Sequence, residues 1–205
     1  MIQIYGSPRS SAGRCYWLLE ELGLAYQRQP LDMRAREHKS ERYLKLNPAG
    51  KVPCLVDGDL TLWESMAINQ YLVDQYGGAL GLGGATPAER GRIAQWSYWS
   101  ILDLQRPLID MFIQLVFVPE PKRDLGVIER ARALLPPLLE ILDRHLAGRE
   151  YLVTDRFTVG DLNVASVVSI CGSVGHDLSS FASLGAWLRR ATARPAHHRY
   201  MALES

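Results

Sequence analysis

The sequence has no surplus of charge of either sign: Lys and Arg total 23 against 22 Asp and Glu, a formal net charge of +1. A near-neutral chain lacks the electrostatic footprint that nucleic acid or an anionic membrane selects, so neither is expected as a partner. No apolar run is long enough to span a bilayer. The opening residues, MIQIYGSPRSS, have no basic stretch leading into an apolar core, so no signal peptide is expected. Cysteine is scarce. Cys15, Cys54 and Cys171 are odd in number, far apart and without a CxxC pair, which fits free thiols in a reducing, cytoplasmic setting. No metal motif is present: His197 and His198 are adjacent, lack the i, i+4 spacing of a helical pair, and read as exposed side chains. Repeats and phosphate-binding glycine motifs are also missing. What remains is a 205-residue chain, 47% hydrophobic and 22% charged, the make-up of a globular protein with one large domain or two small ones.

Periodicity divides it. Ile2 and Ile4 alternate with Gln3 and Tyr5, predicting a strand, and GSPRSSAG (6–13) is a turn. A helix follows to Leu22, burying Cys15, Leu18, Leu19 and Leu22, with Gly23 as its C-terminal cap. Residues 24–31 read as a second strand, and a short helix around Tyr43, Leu44 and Leu46 ends before Asn47-Pro48. PCLV, an Asp57-Gly58 turn and LTLW predict a β-hairpin. A helix from Ser65 carries Ile68, Tyr71 and Leu72 on one face. The order β-α-β-α-β-β-α, with the first two strands parallel and the last two antiparallel, is the thioredoxin-like arrangement. Residues 77–87, GGALGLGGATP, hold five glycines and mark a domain boundary. The expected division is 1–76 as the α/β domain, 77–86 as linker and 87–205 as an all-helical bundle.

In that second part Thr86-Pro87-Ala88-Glu89 is a capping box that starts a helix. Pro107 should kink that helix, and Pro136-Pro137 should bend or break the next one, about 125–147. After Thr158-Val159-Gly160-Asp161 comes an apolar helix expected at the centre of the bundle. Shorter helices around Trp187 and after Pro195 finish the chain. The five tryptophans mostly fall at core spacing, and Cys54 reads as a small core residue. Trp99, Met111 and Phe112 could line an apolar pocket or fill the core.

Three corners carry chemistry. Pro53 opens a strand, where a missing N–H costs no ladder bond. An X-Pro bond is also the low-cost position for a cis peptide, which would turn the amide and carbonyl of Val52 outward to pair with a small peptide. Pro53 as a plain edge-strand start is the bland alternative. At Glu64-Ser65 a helix start meets a carboxylate and a hydroxyl, suited to the carboxylate and ammonium of an α-amino acid. Ordinary capping by Ser65 explains the same pair. Ser10 and Ser11 stand between a strand and a helix start. A thiol pKa is about 8.5, and one charge-assisted hydrogen bond of about 1.5–3 kcal/mol lowers it by roughly one to two units. Capping is again the bland reading.

Taken together, SPRSSAGR (7–14), EHKSERYLKLNPAGKVP (37–53) and DGDLTLWESMAI (57–68) resemble the glutathione S-transferase family, and the likeness runs the length of the chain. Closest are its serine-type phi and theta classes, as in bacterial cytosolic members. VGDLNVA (159–165) resembles the cap of that family's buried helix. The resemblance implies a transferase that conjugates reduced glutathione to small hydrophobic electrophiles, with glutathione as co-substrate, no other cofactor, and a homodimer through both domains.

It also implies roles for residues. A serine four residues before the arginine of the first helix donates to the thiolate, which selects Ser10, with Ser11 as runner-up and Tyr5 third. Val52, before the family's cis-proline Pro53, pairs with the cysteinyl backbone. Glu64 and Ser65 hold the γ-glutamyl end. His38 and Lys39, with Lys51 nearby, reach the glycyl carboxylate. No cysteine occupies positions 10–12, against a thiol-transfer role, and Ala12 departs from the serine-serine-cysteine pattern of the isomerase class. Isomerase or peroxidase chemistry on the same site, or a catalytically idle interaction module, are the alternatives.

Overall fold

The computed structural model describes residues 1–203. Strand β1 (Ile2–Tyr5) buries Ile2 and Ile4 and leaves Gln3 and Tyr5 partly exposed, as period two requires. Strand β2 (Tyr26–Gln29) runs parallel to it, with Ile4 opposite Arg28. On its other side β3 (Cys54–Asp57) is antiparallel, with Ile4 opposite Leu55, and β4 (Leu60–Trp63) closes the hairpin. The sheet order is β2-β1-β3-β4. The parallel pair needs a crossover, which α1 (Gly13–Leu22) supplies before ending at Gly23 in the left-handed conformation. Helix α2 (Glu41–Leu44) is capped by Ser40, whose hydroxyl accepts from the Tyr43 amide. Helix α3 (Ser65–Tyr76) buries Ile68 and Leu72, while the hydroxyls of Tyr71 and Tyr76 both donate to Asp57 Oδ2. Ile4, Leu18, Leu19, Leu55, Ile68 and Leu72 are all 0% exposed. At about 1.5–3 kcal/mol each, they outweigh any single polar contact in this half.

The chain forms two compact units, and residues 193–203 belong with residues 1–83 rather than with the helices of Gly84–Thr192. The expectation that 87–205 is one helical domain is therefore corrected for its last helix, α10 (Pro195–Ala202), which packs on α1. The reason is local to α1. Trp17 is buried beneath His197, at 4.6 Å between ring centroids, and Tyr200, at 6.5 Å and nearly parallel. Arg194 forks onto Glu21 at 2.7 and 2.8 Å, and Arg199 reaches Glu20 at 2.9 Å. His197 is thus half-buried rather than exposed; His198 is exposed.

In the second unit Thr86 caps α4 (Pro87–Trp99) by accepting from the Glu89 amide. The chain continues through a π-helical turn, Ser100–Leu104, into α5 (Gln105–Phe112) and a second such turn, Ile113–Phe117. Pro107 has no N–H for the carbonyl of Asp103. The widened turn just before it takes up that gap, so the helix runs on. Helix α6 (Leu125–Leu146) also continues through Pro136 and Pro137, contrary to a break; the residues whose carbonyls they leave unpaired, Arg132 and Ala133, are exposed, as are both prolines. Helix α7 (Val159–Val168) is almost wholly buried, followed by α8 (Ile170–Ser173) and α9 (Ala182–Thr192).

Asp161 is the polar centre of this unit. Its carboxylate accepts from the amide and hydroxyl of Thr158, both at 2.9 Å, from the Leu152 amide at 2.8 Å and from Trp187 Nε1 at 2.9 Å. The capping box thereby also fixes the 151–158 loop and α9. No helix among the described residues is long and apolar enough to cross a membrane.

Candidate functional site

The first unit brings the three corners together through glycine and arginine. Gly6 ends β1 at φ +115, and a Cβ there would lie 2.9 Å from the Cβ of Val52 and 3.2 Å from that of Ala12. Only glycine lets the 52–53 corner and the start of α1 close on the strand end together. The Val52–Pro53 peptide is cis, as expected. The carbonyl of Lys51, just before, is held by the Tyr43 hydroxyl and the Asn47 amide, each at 2.7 Å. Neither the amide nor the carbonyl of Val52 has a hydrogen-bond partner among the described residues. Pro53 itself is buried behind them.

At the third corner Ser65 is the first residue of α3 and is 7% exposed, while Glu64 is exposed. Glu64 stands at φ 73, ψ 113, a left-sided conformation that costs a non-glycine residue on the order of 1–3 kcal/mol. Its side chain does not cap the helix. Plain N-capping therefore does not account for this pair, and the first-turn amides of α3 keep their positive dipole end available.

The two serines differ. Ser10 Oγ donates to the Ser7 carbonyl at 2.6 Å and accepts from the Ala12 amide at 3.2 Å. A hydroxyl has one proton, and here the turn takes it. Ser11 Oγ has no hydrogen-bond partner among the described residues, and the residue is half-exposed. Tyr5 packs its ring on Tyr43, at 5.8 Å, and points its hydroxyl at Gln3 Oε1, 3.4 Å away.

His38 and Lys39 lie in a short 3-10 turn, Glu37–Lys39. Lys39 Nζ donates to the Ala49 carbonyl at 3.2 Å, and a Cβ on Gly50 would meet both Lys39 Nζ and the His38 carbonyl within 3 Å. The turn thus lies along 49–50, beside exposed Lys51. His38 Nδ1 is buried without a hydrogen-bond partner.

The cysteines are spectators. All three are 0% exposed, and burial pushes the thiols up, Cys15 and Cys171 to about 12 and Cys54 to about 11. Among the described residues no cluster could hold a metal ion. In the second unit Met111 is buried core, Trp99 packs on Trp96 at 5.4 Å and Phe112 on Phe117 at 5.5 Å. Sequence reasoning missed Arg14 as more than a landmark. It is 6% exposed, donates from Nη1 to Ser65 Oγ at 3.2 Å, and receives the Asn69 amide on its carbonyl at 3.4 Å. The available signal was a lone arginine inside an otherwise apolar helix start, GRCYWLL.

Comparison with known proteins bears on this geometry. Residues 2–74 match the family model of the glutathione S-transferase N-terminal domain, and residues 106–195 that of the C-terminal domain. Glutathione S-transferase 3 of Zea mays is 31% identical over 208 residues, spanning 98% of this chain and 93% of that one. Glutathione transferase F2 from Populus trichocarpa superposes with a TM-score of 0.91 at 30% identity, over 99% of this chain and 98% of that one. The theta class glutathione S-transferase from Xanthomonas axonopodis pv. citri, a structure with glutathione bound, gives 0.89 at 35% identity, over 97% and 95%.

Proposed function

Since the chain belongs to the glutathione S-transferase family, we propose that it binds reduced glutathione at the three corners of its first unit and activates the thiol through the hydroxyl of Ser11. The observation that carries this choice is the pair of hydroxyls: Ser10 spends its proton on Ser7, and Ser11 has no such bond. A free hydroxyl donating to sulfur favours the thiolate by about 1.5–3 kcal/mol, roughly one to two pKa units below the ordinary thiol. The cysteinyl backbone pairs with the free amide and carbonyl of Val52. The γ-glutamyl carboxylate takes the start of α3 with Ser65, and its ammonium takes Glu64. The glycyl carboxylate takes Lys51 and the His38–Lys39 turn.

The second substrate is a small apolar electrophile. The thiolate attacks its electrophilic carbon, a carbon–sulfur bond forms, and a leaving group departs with the bonding pair; the thiol proton goes to solvent. Catalysis consists of lowering the thiol pKa and holding the sulfur in place. The working form is a homodimer, for which sedimentation is expected to give twice the 23.0 kDa chain mass.

Conjugation of glutathione to an aryl halide tests the reading. Ser11→Ala is expected to lower kcat at least tenfold with the glutathione Kd within about threefold of wild type. Full turnover in Ser11→Ala would return the role to Ser10 or Tyr5.

A further inference from the structure

Arg14 is not needed by the mechanism above, yet it is the most deeply buried arginine at the site. Its guanidinium has donors only. In its contact with Ser65 the serine must therefore be the acceptor, and the hydroxyl proton has to point away from Arg14. The other polar group of Ser65 that faces α1 is also taken, since the Ser65 carbonyl lies 3.7 Å from Cys15 Sγ. Glu64 provides no side-chain cap, so the first-turn amides of α3 stay available beside the Ser65 hydroxyl.

Arg14 is itself held rigidly. Its carbonyl is bonded by Asn69, one turn along α3 from Ser65. Its neighbour Gly13 is wedged: an added Cβ would lie 2.3 Å from the Pro8 carbonyl oxygen and 2.7 Å from the Tyr200 hydroxyl. The start of α1 can move neither toward the turn nor toward α10.

We propose that Arg14 is a positioning residue for the anionic end of the substrate: by occupying the oxygen of Ser65 it turns that hydroxyl's proton onto a carboxylate seated at the start of α3. A hydroxyl that accepts from a cation is polarised as a donor on its other side, so the pair acts as one relay. The inference rests on the reading that this carboxylate is the α-carboxylate of the γ-glutamyl group.

The test is calorimetric binding of two probes, glutathione and the analogue in which a 4-aminobutyryl group replaces γ-glutamyl and so lacks the α-carboxylate. Wild type is expected to favour glutathione at least tenfold. Arg14→Gln is expected to lose about tenfold for glutathione and less than twofold for the analogue, raising KM for glutathione with kcat within twofold. Adding Ser65→Ala to Arg14→Gln should cost less than a further twofold, because both changes break one relay. Arg14→Lys should show the same selective loss on a smaller scale, and carries the comparison if Arg14→Gln does not fold. Equal loss for both probes, or additive losses in the double variant, would overturn the inference and leave Arg14 a packing residue. Failure of wild type to bind glutathione at all would instead overturn the reading beneath it, and this with it.

Discussion

The hydroxyl of Ser10 lies 2.6 Å from the carbonyl oxygen of Ser7, close enough that its proton belongs to the turn. The same oxygen accepts the Ala12 amide, so this serine closes the loop that delivers the chain into α1. Ser10→Ala should therefore act on folding. A loss of about 1 kcal/mol in urea unfolding is expected, with conjugation turnover within threefold of wild type. A tenfold drop in turnover without a change in stability would reassign Ser10.

Glu64 holds a backbone conformation that is costly for a residue other than glycine. Glycine removes the penalty of φ 73 and also removes the carboxylate. Glu64→Gly is expected to raise stability by up to about 1 kcal/mol while weakening glutathione binding about tenfold. Thermal unfolding and calorimetry on the same sample decide this; a variant less stable than wild type would show that the conformation is not a burden here.

Buried thiols set an alkaline limit. Burial raises all three cysteines in the folded chain, to about 11 for Cys54 and about 12 for Cys15 and Cys171. The unfolded chain releases these protons near pH 9, while the folded chain keeps them. Stability is therefore unaffected below that pH and falls above it, by up to about 1.4 kcal/mol per pH unit per thiol. A variant with all three replaced by alanine should show a shallower alkaline slope. In the native state at pH 8 none should react rapidly with an aromatic disulfide reagent, and all three should after unfolding.

Asp161 predicts the largest structural loss. Asp161→Ala strands the Leu152 and Thr158 amides, the Thr158 hydroxyl and the Trp187 indole. Each stranded buried donor costs about 1–3 kcal/mol, so a drop of roughly 3 kcal/mol or more in unfolding free energy is expected. A drop below about 1 kcal/mol would mean that water replaces the carboxylate freely.

The corners were legible in the sequence because their cues are local. Proline at a strand mouth, a Glu-Ser pair at a helix start and the Asp57-Gly58 turn each fix the backbone within a few residues. Long-range packing decided the rest. Nothing in PAHHRYMA says that His197 and Tyr200 will cover Trp17, some 180 residues earlier. Spacing cannot choose between Ser10 and Ser11, since the choice turns on which hydroxyl folds back onto Ser7. Arg14 reads only as a landmark of the first helix until α3 is placed beside it. Pro136-Pro137 reads as a bend or break, and the helix runs on where water can serve the exposed residues whose carbonyls are left unpaired.

The central claim is a sulfur held as thiolate by Ser11, and ultraviolet difference titration of enzyme-bound glutathione measures it directly. The thiol bound to wild type and to Ser10→Ala should ionise roughly one to two pH units below free glutathione, and the thiol bound to Ser11→Ala near the free value. A depressed pKa that survives in Ser11→Ala, or vanishes in Ser10→Ala, contradicts the account.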